Sequence, residues 1–297
     1  MKNGTVCWPN GSRIAIAITV MFETWPDDKW PPYAAQRWQP KPGAKDHQSM
    51  TWGQYGGKAG IWRILRILDE CSAPATFCAN ARSVEVYPEA TAQVLRSGHD
   101  FAAHGYTQDQ HLADMTPEQE HATIKHCIEV LEQKTGTRPE GWLSPILAWT
   151  EHTDDILAHE KLLWHGDANY TDLPRRIATR HGPLVHIPHS DYTDNRVLWL
   201  SPQDYHNVYK DTFDYLYARE PLSLLVMTIH CHFGGRPLMS AMLDKLLRYF
   251  ARFPGVWFAR HRELARWALE GDADEVTNAQ RFFPTATHSN SPLNDHE

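Results

Sequence analysis

The chain has 297 residues, of which 42% are hydrophobic and 22% are charged, and its formal net charge is −7. These values are typical of a folded globular protein with a large core, and the acidic balance argues against nucleic acid as the main partner. No apolar run approaches the 18 residues that a membrane span needs, and the five cysteines include no C-x-x-C pair. We therefore expect a cytoplasmic protein with reduced thiols and no membrane partner.

Strand-like and helix-like segments alternate along the chain. Residues 13–22 form a nearly continuous apolar run, which is typical of a strand that is covered on both faces. Thr116, with Pro117 and Gln119 behind it, is typical of a helix N-terminus and predicts a helix to about residue 134. The other predicted elements are, in chain order, helix 55–70, strand 75–79, helix 87–97, strand 141–145, helix 150–159, strands 163–165 and 184–188, helix 204–218, strand 224–230, helix 239–252, strand 256–259 and helix 261–269.

This alternation predicts an α/β fold with a mostly parallel sheet wrapped by helices, either open or closed into a barrel. We expect one barrel domain over residues 1–270. Residues 25–54 are rich in proline and tryptophan and follow the first strand, so they are interpreted as an insertion that forms a loop or lid. Residues 271–297 are interpreted as a polar tail, which is either disordered or bound to a partner.

Polar side chains cluster at the predicted strand ends, in four groups: Glu23, residues 104–111, residues 167–172 and residues 230–236. In a parallel α/β sheet these ends meet at one rim, where ligands usually bind. Each group also has a structural interpretation. Glu23 can cap a turn, Asp167 and Asp172 can form turns, and His230 can be a core histidine.

The order of several short motifs resembles the polysaccharide deacetylase superfamily, carbohydrate esterase family four. The likeness runs from about residue 13 to residue 268 and is most similar to the branch with allantoinase-like and cyclic imide hydrolase-like enzymes. The motifs that carry it are Val20 to Glu23, Ala75-Thr76-Phe77, Gly98 to Tyr106, Arg138-Pro139-Glu140-Gly141-Trp142, Thr228-Ile229-His230 and Gly235-Arg236-Pro237.

The resemblance implies a distorted barrel of about seven (β/α) units in a single domain, and hydrolysis of a carbon–nitrogen bond in an amide, imide or ureide. Metal-dependent relatives hold a divalent ion, usually zinc, with an aspartate of the first motif and two histidines four residues apart. This chain has Glu23-Thr24 in place of the paired acids and Gln108 four residues after His104. Catalytic zinc typically takes three protein ligands and one water, and Glu23 with His104 supplies only two.

Two mechanisms therefore stay open. With zinc or another divalent metal, the ligands are Glu23, His104 and a third residue, for which His111 is our choice and Asp109, Asp167, His230 and His232 are alternatives. Without a metal, Glu23 is the general base, and histidines with Arg236 stabilise the oxyanion.

Roles for the remaining residues follow from the same resemblance. His230 is assigned to protonation of the leaving nitrogen or to stabilisation of the oxyanion, and Asp167 to orientation of the catalytic groups. The predicted substrate-binding residues are Trp25, Tyr106, Trp142, Asp172 and Arg236.

We predict a hydrolase that acts on a small linear or cyclic amide, imide or ureide. The first alternative is an N-deacetylase of an amino sugar or of a peptidoglycan or chitooligosaccharide fragment. The second is a catalytically inactive barrel that binds carbohydrate or a partner. Relatives of this kind form dimers or tetramers, so the resemblance also implies a homo-oligomer.

Overall fold

A curled, mostly parallel sheet forms the centre of the molecule. The computed structural model describes residues 7–27, 29–31, 33–34, 41, 43–220, 222–271 and 281–282. Its strands run in the spatial order β6-β7-β5-β4-β3-β2-β1-β8, with β9 also paired to β1. Their bounds are β1 Ile14–Phe22, β2 Thr76–Ala79, β3 Asp100–Ala103, β4 Gly141–Trp142, β5 Trp164–His165, β6 Arg175–Thr179, β7 Gly182–His186, β8 Ser223–His230 and β9 Val256–Ala259.

Helices follow most of the strands in the chain. Thr116 caps the longest helix in a capping box with Gln119, as its sequence predicts. A single π-helical turn, Gly56–Gly60, joins the first two helices. The helix bounds are α1 His47–Tyr55, α2 Ile61–Glu70, α3 Ala81–Val86, α4 Pro88–Arg96, α5 Pro117–Thr135, α6 Thr153–His159, α7 Pro202–Arg219, α8 Pro237–Phe250 and α9 His261–Glu270.

Strand β1 is the most deeply buried part of the sheet, and each of its nine residues is buried. It pairs in parallel with β8 along Ile14 to Met21, with β9 at its start and with β2 at its end. Continuous apolar sequence is what such a strand requires, because helices cover both of its faces. The carboxyl end of β1 therefore opens between β2 and β8, near one end of the strand order.

The predicted α/β class and barrel-like parallel sheet are confirmed. One local prediction was wrong and one strand was missed. Residues 47–55 form a helix, although residues 25–54 were predicted to form a loop or lid. Residues 175–179, for which no element was predicted, form strand β6, which pairs antiparallel with β7. The alternating polar residues of β6 gave no apolar run by which the sequence analysis could recognise a strand.

Most of the predicted tail, residues 272–280 and 283–297, lies outside the described residues, so the domain boundary at residue 270 stays a prediction. Within the described part of the chain, none of the helices has both the length and the apolar composition that crossing a membrane requires.

Candidate active site

The register of the sheet brings Glu23, His104 and His230 to one edge. Met21 on β1 is paired with His230 on β8, and Ala79 on β2 is paired with Ala103 on β3. Glu23 and His104 come directly after their strands, so both leave the sheet at its carboxyl edge. This is the edge at which parallel α/β folds place their ligands.

Glu23 lies at the centre of three histidines. Its Oε1 is 3.6 Å from Nε2 of His104 and 3.7 Å from Nε2 of His230, and its Oε2 is 3.6 Å from Nδ1 of His232. These distances exceed those of hydrogen bonds. Glu23 Oε2, His104 Nε2 and His232 Nδ1 are buried without a hydrogen-bond partner among the described residues. Unpartnered buried polar atoms are rare in folded proteins, and here they surround one carboxylate.

Burial and neighbouring charges shift the pKa values of this cluster in opposite directions. Burial by itself raises the pKa of Glu23, but the charge of His230 and the nearby rings of His104 and His232 outweigh burial and hold that pKa at about 2. Burial lowers the pKa of His230, yet Asp194 and Glu23 more than reverse this and raise it to about 9. Burial also lowers the pKa of His232, to about 3. At neutral pH the site therefore holds a carboxylate beside an imidazolium and a neutral imidazole.

Asp194 holds His230 in place. Its Oδ1 lies 2.5 Å from Nδ1 of His230, and its Oδ2 accepts the backbone N–H of His230 at 2.9 Å. Nδ1 donates to Asp194, and because the ring is an imidazolium at neutral pH, Nε2 carries a second proton that faces Glu23. The sequence analysis missed Asp194. A bridge between Thr193 and Thr228 of β8 is what brings it to the site, and no local pattern indicates that pairing.

His104 is oriented in a similar way. Its Nδ1 lies 2.6 Å from the carbonyl oxygen of Leu143, so this nitrogen donates and Nε2 faces Glu23. Gln108, which replaces the second histidine of the family pattern, lies 3.4 Å from the side-chain nitrogen of Asn80 through its Oε1. Asn80 in turn accepts from the backbone of Thr24 at 2.8 Å.

Asp167 follows β5 and is fixed by two donors. The backbone N–H of Ser144 reaches Oδ1 at 2.8 Å, and Nε2 of His165 reaches Oδ2 at 2.7 Å. The other ring nitrogen of His165 lies 2.8 Å from Asp154. Burial lowers the pKa of His165, but the two carboxylates raise it to about 9. The sequence analysis identified Asp167 and missed His165, although it ends the same short strand.

His189 is a further residue that the sequence analysis missed. Burial is the main cause that lowers the pKa of His189 to about 4. The charges of His230 and His104 lower it as well, and the charge of Asp167 raises it. Nε2 of His189 lies 3.4 Å from the hydroxyl of Thr228 on β8, the strand that ends at His230.

Aromatic residues from the 25–54 segment cover His232. The rings of Trp25 and Trp52 meet it edge-on at 5.2 Å and 5.0 Å, and the Tyr33 hydroxyl lies 3.4 Å from its Nε2. Arg236 donates from Nε to the His232 carbonyl at 3.0 Å, and its guanidinium lies over the Trp52 ring at 5.3 Å. Trp25, Tyr33 and Trp52 therefore pack as a lid over His232, on one side of Glu23.

The π-helical turn allows this close packing. A Cβ added at Gly60 would lie 1.9 Å from the carbonyl oxygen of Cys231, and one at Gly56 would lie 3.0 Å from the backbone nitrogen of His232. Only glycine lets the helix approach the turn that carries His232. Such π turns often occur at functional sites.

Four predicted site residues lie elsewhere or are committed to other partners. Trp142 is fully buried in the core, and its indole N–H donates to Ser144 at 2.9 Å. Tyr106 donates to Glu85 at 3.0 Å. Asp172 is exposed and pairs with Arg281 at 3.2 Å, and His111 lies 3.4 Å from Asp114. These four residues are close in the sequence to other site residues, but their side chains do not contact Glu23.

The predicted metal set of Glu23, His104 and His111 is not assembled. Zinc binds nitrogen and oxygen at about 2.0 to 2.2 Å, so two ligands of one ion lie at most roughly 4.4 Å apart. In the described part of the chain, two groups place three ligand atoms within 4.8 Å of one another, and Glu23 belongs to neither. The donor types suit zinc, and each histidine nitrogen lies within 4.4 Å of a Glu23 oxygen, but Glu23 belongs to no group of three described ligand atoms that all lie within 4.8 Å of one another.

Comparison with known proteins finds similarity to polysaccharide and peptidoglycan deacetylases and to an allantoinase. The family model described as "Polysaccharide deacetylase" matches residues 44–162. A "Peptidoglycan deacetylase" from Helicobacter pylori is 25% identical in an alignment of 272 residues that covers 78% of this chain and 92% of that protein. The crystal structure of "Puue Allantoinase" is 26% identical with a TM-score of 0.80, over 89% of this chain and 93% of the other. A "probable Polysaccharide deacetylase" from Pseudomonas aeruginosa is 26% identical with a TM-score of 0.79, over 89% and 94%.

Proposed function

Because this chain belongs to the polysaccharide deacetylase family and is therefore a hydrolase of carbon–nitrogen bonds, we propose that it hydrolyses a small linear or cyclic amide, imide or ureide, with Glu23 as base and His230 as acid. The observation that carries this proposal is the pairing of a buried carboxylate with a buried imidazolium, whose nearest atoms are 3.7 Å apart. Two titratable groups with pKa values pushed far apart are typical of acid and base partners.

The first half of the reaction uses Glu23. It takes a proton from a water molecule, and the resulting hydroxide attacks the carbonyl carbon of the substrate. A carboxylate with a pKa of about 2 is a weak base, but that value depends on the positive charge of His230. When His230 gives up its proton, the pKa of Glu23 rises, because the two groups titrate as a pair.

The second half uses His230. Its Nε2–H is a donor to the tetrahedral oxyanion and then transfers its proton to the leaving nitrogen as the carbon–nitrogen bond breaks. The proton on Glu23 returns to His230, which restores the starting charges. Asp194 keeps Nδ1 protonated through this cycle.

Members of this family generally use a divalent metal. In this chain the ligand spacing around Glu23 and the presence of Gln108 support a mechanism without one. Zinc at this site stays a prediction, and metal analysis of the purified protein tests it. A stoichiometric ion that the Glu23→Gln variant loses would contradict the metal-free route.

The lid supports a small substrate. Trp25, Tyr33 and Trp52 close over His232, which leaves a polymer little access to that side of Glu23. An N-deacetylase of an amino-sugar fragment is the second candidate, and the Helicobacter pylori peptidoglycan deacetylase supports it.

The deciding experiment is a substrate screen of the purified protein with imides, hydantoins, ureides and N-acetylated sugar oligomers. We expect turnover of at least one small amide, reduced about 10²- to 10⁴-fold in the Glu23→Gln variant. Turnover of the sugar oligomers alone would overturn the small-amide proposal and favour the second candidate.

A further inference from the structure

A second cluster of histidines lies on the surface, on helices that carry none of the residues in contact with Glu23. It combines His121 on α5, His159 at the end of α6, and Glu160, which follows α6 directly. One ligand atom from each residue lies within 4.8 Å of the others. We propose that these three side chains bind a divalent transition-metal ion such as Zn²⁺, with His181 as a fourth ligand.

The distances suit a shared ion. Oε1 of Glu160 lies 3.4 Å from Nδ1 of His159 and is hydrogen-bonded to Nε2 of His121 at 2.8 Å, a single bond that an ion would replace. Ligand atoms on a tetrahedral zinc ion are roughly 3.4 Å apart, given bonds of about 2.0 to 2.2 Å. A small rotation of His121 away from Glu160 opens the position that the ion takes. Imidazole and carboxylate donors are those that zinc prefers.

The carboxylate is oriented in advance. Arg138 lies 3.4 Å from Oε2 of Glu160 through Nη2, and the same nitrogen donates to the Glu160 backbone carbonyl at 2.9 Å. Oε1 is therefore the oxygen that faces both histidines. Glu132 pairs with Nη1 of Arg138 at 3.0 Å and offsets its charge. Outer residues that orient a ligand in this way are typical of metal centres.

The fourth ligand is held nearby by the hairpin between β6 and β7. The ring of His181 meets the ring of His159 edge-on, with centroids 4.9 Å apart. Arg180, the preceding residue, is anchored to α6 because its backbone N–H donates to Asp155 at 2.8 Å. An ion at this position connects α5, α6 and the hairpin.

The other histidine group of this size, Asp154 with His165 and His186, is a weaker candidate. Both ring nitrogens of His165 and of His186 lie within hydrogen-bond distance of a carboxylate or of Tyr170. Those nitrogens are already used in a hydrogen-bonded network.

The test is calorimetric titration of the chelator-treated full chain with ZnCl₂, repeated with CoCl₂ while the visible spectrum is recorded. We expect one equivalent that His121→Ala and His159→Ala both lose, with a tetrahedral Co²⁺ spectrum and a rise in Tm when the ion binds. Arg138→Ala is expected to weaken binding about 10- to 100-fold because Glu160 is no longer oriented, and His181→Ala changes the Co²⁺ spectrum.

Two controls separate this site from others. His206→Ala removes a half-buried histidine of α7 and is expected to keep the equivalent, as is Glu23→Gln at the candidate active site. Binding that both His121→Ala and His159→Ala retain, or no binding by the unmodified chain, would overturn the proposal. Circular dichroism establishes that each variant is folded.

Discussion

His230 donates from Nδ1 to Oδ1 of Asp194 across 2.5 Å, inside a buried pocket. This bond keeps the imidazole positively charged and turns its other nitrogen toward Glu23. Because His230 must carry a proton to act as the acid, kcat/KM is expected to stay level through neutral pH and to fall about tenfold per pH unit above about 9. A pH–rate profile measures this directly.

Asp194→Asn removes the negative charge that does most to raise the pKa of His230. We expect the alkaline limb of that profile to move to lower pH by roughly 1 to 3 units, since an adjacent opposite charge shifts a pKa by that amount. Asp191→Asn, at an exposed position three residues earlier, is the matched control and should leave the limb in place. An unchanged limb in a folded Asp194→Asn protein would show that His230 is not the acid.

Glu23→Gln keeps the shape of the side chain and removes its charge. A loss of about 10²- to 10⁴-fold in kcat is expected, which is the usual contribution of a general base. Glu151→Gln alters a carboxylate that is 88% exposed and should have no effect. If Glu23→Gln retained about a tenth of the activity, another group would have to activate the water.

His165 stabilises the fold through two carboxylates, Asp154 and Asp167. Its pKa is about 9 in the folded chain, against 6.5 for an unperturbed histidine, so this contribution is complete below about pH 6.5 and is lost as pH rises through 9. In His165→Leu the two carboxylates lose their shared partner. We expect a cost of roughly 3 to 5 kcal/mol at pH 7.

Urea unfolding of His165→Leu and of the unmodified chain at pH 7 and pH 10 measures this effect. The difference between the two proteins should shrink at the higher pH. The control is His206→Leu, which removes a half-buried histidine that contacts Gln203 and no carboxylate in the described structure. A difference that is constant with pH would mean that His165 contributes packing alone.

Gly60→Ala tests the close approach of the π-helical turn to β8. The added Cβ would lie 1.9 Å from the Cys231 carbonyl. The backbone must therefore shift, at a cost of typically 1 to 3 kcal/mol. Since the shift displaces the turn that carries His232, kcat/KM should fall as well. Lys58→Ala, on an exposed position of the same turn, should change stability by less than about 0.5 kcal/mol. Unaltered stability in Gly60→Ala would contradict this account of the turn.

The predicted homo-oligomer and the cytoplasmic location stay predictions, as does the reduced state of the thiols in the cell. Among the predicted site residues, the structure brings Glu23, His104 and His230 together, with Trp25 and Arg236 around His232. It leaves His111 and Asp172 with partners of their own. His111 and Asp172 were predicted because they lie close in the chain to other site residues. The turns after β3 and β5 direct them away from Glu23.

Local sequence patterns were sufficient to predict the α/β class, a mostly parallel sheet, most of its strands and the identity of the residues at the strand ends, and the family resemblance added the barrel. The reason is that a strand buried on both faces must be apolar along its length and must end where polar residues begin. Which polar groups act on one another depends on the folded chain. Asp194 reaches His230, and Trp52 covers His232, through contacts between residues 36 and 180 positions apart in the chain. Packing also sets the charges, since the pKa values of Glu23 and His230 depend on burial and on each other, and neither quantity exists until the strands are assembled.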